Sequence, residues 1–145
     1  MTNISVVIPT YNAALFVSDT IYSVINQTLK PFEIIIIDDG STDNTCDIIN
    51  KIINKHSSFN FKLISIAHKG PGYARNIGIE VSKSRWIAFL DSDDLWDPNK
   101  IKVVTKVINE NINFNFFCHN EFLSYKNKQP ILLDYSKKNN KSKSL

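Results

Sequence analysis

The chain has 145 residues, of which 43% are hydrophobic, 21% charged and 11% aromatic, a balance that fits one ordinary domain and excludes a disordered or fibrous polypeptide. Its longest apolar runs, Ala13 to Val17 and Trp86 to Leu90, fall far short of the roughly 20 residues of a membrane span, and no basic-then-apolar leader opens it, so neither a span nor export is expected. The net charge of +3 is uneven: six lysines against one acid follow residue 125, which leaves the preceding body slightly acidic.

Ile4 to Pro9 reads as a buried strand, followed by Thr10, Tyr11 and Asn12. Val17, Ile21, Val24 and Ile25 then recur on one helical face, with Asn12 as its expected cap. Phe32 to Ile37 is a second strand, whose four consecutive isoleucines require cover on both sheet faces. It runs into Asp38, Asp39 and the turn at Gly40, then Ser41, Thr42 and Asp43 as helix caps. Cys46, Ile49, Ile52, Ile53 and His56 mark the next helix. Cys46 and Cys118 are the only cysteines, lack metal-ligand spacing, and read as reduced thiols of the core.

Phe61 to Ile66 is the third strand. After Gly70-Pro71-Gly72, the residues Ala74, Ile77, Gly78 and Val81 give a short helix with small residues inward. Arg85 to Leu90 is the fourth strand, closing in Asp91-Ser92-Asp93-Asp94, and Asp97-Pro98 starts another helix. Phe114 to Leu123 reads as a fifth strand. The domain is expected to span residues 1–125, with 126–145 a solvated, poorly ordered basic tail. That tail carries no nucleic-acid motif. Its second reading is an electrostatic contact with a membrane surface, on a protein otherwise expected in the cytoplasm.

Strict alternation of apolar strands and amphipathic helices predicts an α/β fold, a mostly parallel sheet with helices on both faces. Right-handed crossovers give the strand order 3-2-1-4, whose direction reverses between strands one and four. Ligands of such sheets bind at that reversal, beyond the strands' carboxyl ends. Thr10, Tyr11, Asp38, Asp39, His68 to Asn76, Asp91, Asp93 and Asp94 all fall at that edge. Two carboxylates ~4 Å apart repel by about 4 kcal/mol at an effective dielectric near 20. Such a cluster therefore caps helices or holds a cation. Asp43 and Asp97 suit caps. Asp91 and Asp93, one residue apart in an extended segment, would turn to one side and share a hard ion such as Mg²⁺ or Mn²⁺. The Gly70-Pro71-Gly72 turn opens a helix and offers backbone N–H groups to an anion, with Arg75 one turn inside. Neither of the usual glycine-rich nucleotide loops is present.

Residues 5–12 (SVVIPTYN), 33–43 (EIIIIDDGSTD), 70–76 (GPGYARN) and 86–96 (WIAFLDSDDLW) resemble the family 2 glycosyltransferases. The resemblance runs to about Leu123 and implies a GT-A, Rossmann-like fold, here truncated after the fifth strand. It also implies an inverting transfer of sugar from a nucleotide sugar, most often a UDP-sugar, to a saccharide or lipid-linked acceptor, assisted by Mn²⁺ or Mg²⁺. By position, Thr10, Tyr11 and Asp39 resemble the base-binding group and Arg75 the nucleotide-side arginine. Asp91 resembles the residue at ribose and metal, and Asp93 the direct metal ligand. Asp38, Asn76 and Asp94 match motif positions with less defined roles, and His68 stands where many members have asparagine. The family's acidic general base has no match here, where Glu110, Glu121 and Asp134 are the last acids. Two other readings stay open from sequence: a donor-binding module without efficient transfer, and a non-catalytic Mg²⁺-binding interaction domain. Apolar residues of the fifth strand suit self-association if left uncovered.

Overall fold

The computed structural model describes residues 3–113, 115–117, 121–123 and 131–133. They divide into two compact units, Met1–Glu110 and Asn111–Leu145. The first holds β1 (Ile4–Thr10), α1 (Val17–Ile25), β2 (Glu33–Asp38), α2 (Thr45–Lys55), β3 (Phe61–Ser65), α3 (Pro71–Val81), β4 (Trp86–Phe89) and α4 (Lys100–Glu110). The four strands pair in parallel in the order β3-β2-β1-β4, as the alternation predicts. The second unit holds β5 (Glu121–Leu123) and β6 (Ile131–Leu133), an antiparallel pair.

Both faces of β1 and β2 are buried because both carry apolar side chains. Val7, Ile35 and Ile37 pack with Ala74 of α3, and Ile64, Ile77 and Ile87 extend that cluster. Val6, Ile8, Ile34 and Ile36 alternate to the other face and are equally buried. The stripes Val17, Ile21 and Val24 of α1 and Ile49 and Ile52 of α2 are buried as well. Right-handed β1-α1-β2-α2-β3 crossovers lay those two helices on that second face.

The approach of α3 to β1 depends on Gly78. A Cβ at that position would fall well inside contact distance of Val7 Cγ1 and lie 3.1 Å from its Cγ2. A valine cannot swing away, because its χ1 has few alternatives. Gly78→Ala is therefore expected to lower stability by about 1–3 kcal/mol in denaturant unfolding, less the ~1 kcal/mol that alanine returns as a better helix former. Raised stability would contradict this packing.

Glu33 ties the amino-terminal end of the sheet together. Its buried carboxylate accepts from Ser5 Oγ at 2.7 Å and from the Lys83 N–H at 2.7 Å, and pairs with Lys62 Nζ at 2.9 Å. Burial alone would push its pKa up, but the hydrogen bonds from Lys62, Ser5 and Lys83 and the lysine charge outweigh it and hold the carboxyl below its ordinary value. A carboxyl with a depressed folded pKa contributes stability that is complete above its unfolded pKa of about 4.3 and lost as pH falls through the folded value. Wild-type melting should accordingly decline on acidification below about pH 4.3. Glu33→Gln should flatten that decline and cost about 1–3 kcal/mol at neutral pH, because it leaves a buried bond unmade. Equal acid sensitivity in both proteins would contradict it.

Two expectations need correction. Asn12 does not cap α1: the helix begins at Val17 without a side-chain cap. Asn12 sits at φ 47° and its Oδ1 accepts the Thr42 N–H at 2.8 Å, so it braces the loop after β2, where asparagine tolerates the left-handed conformation. Among the described residues the long fifth strand read over Phe114 to Leu123 is not continuous. Asn115–Phe117 are irregular, where polar Asn115 interrupts the phenylalanine run, and Glu121–Leu123 forms a short strand paired with Ile131–Leu133. The second compact unit begins at Asn111, and β6 falls within residues 126–145. Phe114, Cys118 to Asn120, residues 124–130 and residues 134–145 lie outside the described residues.

Candidate nucleotide-sugar site

At the carboxyl ends of the strands, where the order reverses between β1 and β4, lies a cleft of about 320 Å³. Thr10, Tyr11, Asp39, Arg75, Asp91 and Asp93 all line it, together with Pro9, His68, Pro71, Ala74 and Ser92. The six residues assigned to binding or metal are thus brought to one concavity, whereas Gly70 and Gly72 of the turn offered to an anion do not line it, and the Gly70 N–H is bonded to Asp39. Asp38, Asn76 and Asp94 are not among its lining residues.

The base-side wall is built by β1, β2 and the β3–α3 loop. The Asp39 N–H donates to Thr10 O at 2.8 Å, holding the two strand ends together. Asp39 is 2% exposed. Its Oδ1 accepts the Lys69 N–H and its Oδ2 the Gly70 N–H, each at 2.8 Å. A buried anion is tolerated there because those backbone donors satisfy it. Gly40 turns the chain at φ 75°, where an added Cβ would stand 3.1 Å from His68 N. Asp38, also buried, accepts the Ser41 N–H at 3.3 Å and so braces this turn. Nearby, burial pushes the Cys46 thiol pKa up, and the Asp38 carboxylate adds to that.

Tyr11 is half-exposed, and its ring stacks on His68 at a centroid distance of 4.1 Å and an angle of 26°. His68 Nδ1 lies 2.9 Å from Asp39 Oδ2 and 3.0 Å from Asp39 O. Sequence reasoning left His68 without a role. Its place between a tyrosine and an aspartate arises from three separate loops, which no local spacing reveals.

The acidic wall follows β4. Asp91 to Asp94 is a turn, closed by the Asp94 N–H on Asp91 O at 3.1 Å, not the extended segment assumed from the D-x-D spacing. The strand ends at Phe89, so the alternation that would align the two side chains is lost. Both nevertheless reach the cleft. Arg75, from the second turn of α3, donates to Asp91 Oδ1. Among the described residues the Asp93 carboxylate has no hydrogen-bond or ion-pair partner, and no three His, Cys, Asp or Glu side chains gather closely enough to hold an ion alone. Two carboxylates with the rest of the shell left to phosphates and water is a donor set that suits Mg²⁺ or Mn²⁺.

Helix α1 braces this acidic loop. Thr20 Oγ1 donates to Ser92 O at 2.9 Å and the Trp96 N–H to Ser23 Oγ at 3.2 Å. Buried Gln27 donates to Asp97 O at 2.7 Å and accepts the Ile101 N–H at 2.9 Å, so it caps α4 from a distance. Asp97 and Asp43 are not the helix N-caps expected of them. Asp97 accepts the Asn99 N–H at 2.8 Å in the turn before α4, which begins at Lys100, and Asp43 accepts the Thr45 N–H at 3.0 Å one residue outside Asn44, the N-cap of α2. Of the three acids considered for a general base, Glu110 pairs with Lys106 at 3.8 Å and does not line the cleft. The Glu121 side chain and Asp134 lie outside the described residues.

The chain is similar to known proteins in sequence and in fold. Residues 5–141 match the model for glycosyl transferase family 2. The chain is 45% identical over 124 residues to an uncharacterized glycosyltransferase of Rickettsia conorii, covering 83% of this chain and 19% of that protein. It is 42% identical over 127 residues to the Escherichia coli enzyme WfaP, a UDP-Glc:alpha-D-GlcNAc-diphosphoundecaprenol beta-1,3-glucosyltransferase, covering 86% of this chain and 45% of that one. The structure of S. aureus TarS 1-349 in complex with UDP superposes with a TM-score of 0.69 at 30% identity, covering 77% of this chain and 33% of that one. A Pyrobaculum calidifontis mannosyltransferase solved with GDP-Man and Mn²⁺ shares the fold at 22% identity and a TM-score of 0.69, covering 73% of this chain and 32% of that one.

The four-stranded parallel α/β sheet of this order is GT-A-like, as in the TarS structures. The chain belongs to glycosyl transferase family 2. It spans between 16% and 45% of the length of the curated relatives it matches. Among the described residues, no helix is long and apolar enough to cross a membrane.

Proposed function

We propose that this chain supplies the donor side of a metal-assisted, inverting sugar transfer from a UDP-sugar to an acceptor hydroxyl. The observation that carries the reading is the meeting of Tyr11, Asp39, Arg75, Asp91 and Asp93 in one cleft at the sheet's reversal point. Two relatives support the choice of uridine: WfaP, named as a UDP-glucose enzyme, and TarS, solved with UDP and with UDP-GlcNAc. WfaP's name also gives a diphosphoundecaprenol-linked acceptor, which makes a lipid-linked saccharide the first acceptor to try.

Tyr11 offers the base a π-face and Asp39 an acceptor for its ring N–H. Arg75 offers the diphosphate a fixed positive charge at the mouth of α3. Asp93, aided by Asp91, would hold the divalent cation. When bound, that ion offsets the charge that develops on the departing diphosphate. The acceptor hydroxyl attacks the anomeric carbon opposite the diphosphate, and a carboxylate takes its proton.

The direct test offers UDP-glucose and UDP-GlcNAc with a diphosphate-lipid-linked GlcNAc and follows UDP release, then reads the product's anomeric configuration by NMR. The reading expects acceptor-dependent release and a β-linked product from the α-linked donor. A retained α configuration would contradict inversion.

A further inference from the structure

We propose that His68 is the positioning residue of the base-binding wall, fixing Tyr11 and Asp39 relative to one another before the base arrives. The inference rests on the donor-site reading above and extends it to a residue with no assigned part. A carbonyl oxygen can only accept, so the bond from His68 Nδ1 to Asp39 O at 3.0 Å, with Asp39 Oδ2 2.9 Å away, requires the proton on Nδ1. The Lys69 and Gly70 N–H groups each fill one acceptor position of the Asp39 carboxylate, one on each oxygen, which leaves acceptor capacity for an incoming N–H.

The same imidazole also supports the aromatic platform. Tyr11 is 46% exposed, and a half-exposed ring in a loop would ordinarily have to be ordered by its ligand. Stacking on His68 at 4.1 Å sets the plane of that ring in advance. A base needs both a π-face and an acceptor at its edge. His68 is joined to each: its ring faces Tyr11 and its Nδ1 reaches Asp39. Histidine suits the place because one side chain supplies a flat ring and a ring N–H together.

The test compares wild type, His68→Ala, His68→Asn and His68→Phe, titrating each with UDP and with inorganic pyrophosphate in the presence of Mn²⁺. Asparagine keeps a donor without a ring, and phenylalanine keeps a ring without a donor. The His68 side chain is 55% exposed, so folding should survive, and melting curves check it. His68→Ala should weaken UDP about tenfold, the cost of ordering two side chains on binding, and leave pyrophosphate unchanged. The asparagine and phenylalanine variants should each recover part of the loss. If His68→Ala binds UDP as tightly as wild type, or loses pyrophosphate affinity in parallel, the positioning role is wrong. If wild type itself binds UDP no better than pyrophosphate, the base-binding reading fails, and the role of His68 fails with it.

Discussion

Asp93→Ala is expected to abolish most of the metal dependence of UDP binding, lowering affinity in Mn²⁺ by about 30- to 100-fold. The estimate follows from the roughly 2–5 kcal/mol lost when one partner of a close charge pair is truncated, taken at its lower end because Asp93 is exposed. Asp93 suits the role because it lines the cleft and no described residue engages its carboxylate. The control is Asp97→Ala, a few residues away on the same segment. Asp97 accepts the Asn99 N–H at 2.8 Å in the turn that leads into α4, so its loss should cost about 1 kcal/mol, that of one hydrogen bond, and leave binding nearly intact. Calorimetric titration and thermal melting of both variants separate the two roles. Equal losses of UDP affinity in two folded variants would show that the binding site and the turn before α4 have been confused.

Arg75→Gln should move two affinities in opposite directions. In the free protein Arg75 is bonded to Asp91, one of the two carboxylates proposed to hold the cation. Both side chains are partly exposed, at 32% and 49%, so the pair is screened and worth at most about 1 kcal/mol. Removing the guanidinium frees Asp91, and Mn²⁺ alone should bind up to about fivefold more tightly. UDP should bind about 10- to 100-fold more weakly, because a charge-assisted contact to the diphosphate is lost. Both affinities are read in one set of titrations. A change of the same sign in both would mean that Arg75 serves only to neutralise Asp91.

The architecture was legible because it is a matter of period and burial. Four isoleucines in succession require a strand covered on both faces, and helical stripes between apolar runs allow little besides a parallel sheet. The reversal point then follows from crossover handedness, which is why Thr10, Tyr11, Asp39, Arg75, Asp91 and Asp93 could be grouped before any coordinates. Features that depend on contacts between distant segments were not legible. Gln27, at the end of α1, looks like any surface glutamine until Asp97 and Ile101 are found against it. Glu33 looks like a strand-end charge until Ser5, Lys62 and Lys83 close around it. His68 needed two partners from two other loops. The misplacements have the same origin. Asn12 has the composition of a cap, but the loop after β2 competes for its side chain. The D-x-D spacing implied an extended segment, but the chain turns as soon as it leaves β4.

Titration of UDP, ADP and GDP into the protein, with and without Mn²⁺, tests the central claim most directly. The cleft as described should bind UDP most tightly, with affinity that rises in Mn²⁺ and falls when the ion is chelated. Binding of all three nucleotides with equal affinity, unaffected by metal, would contradict it.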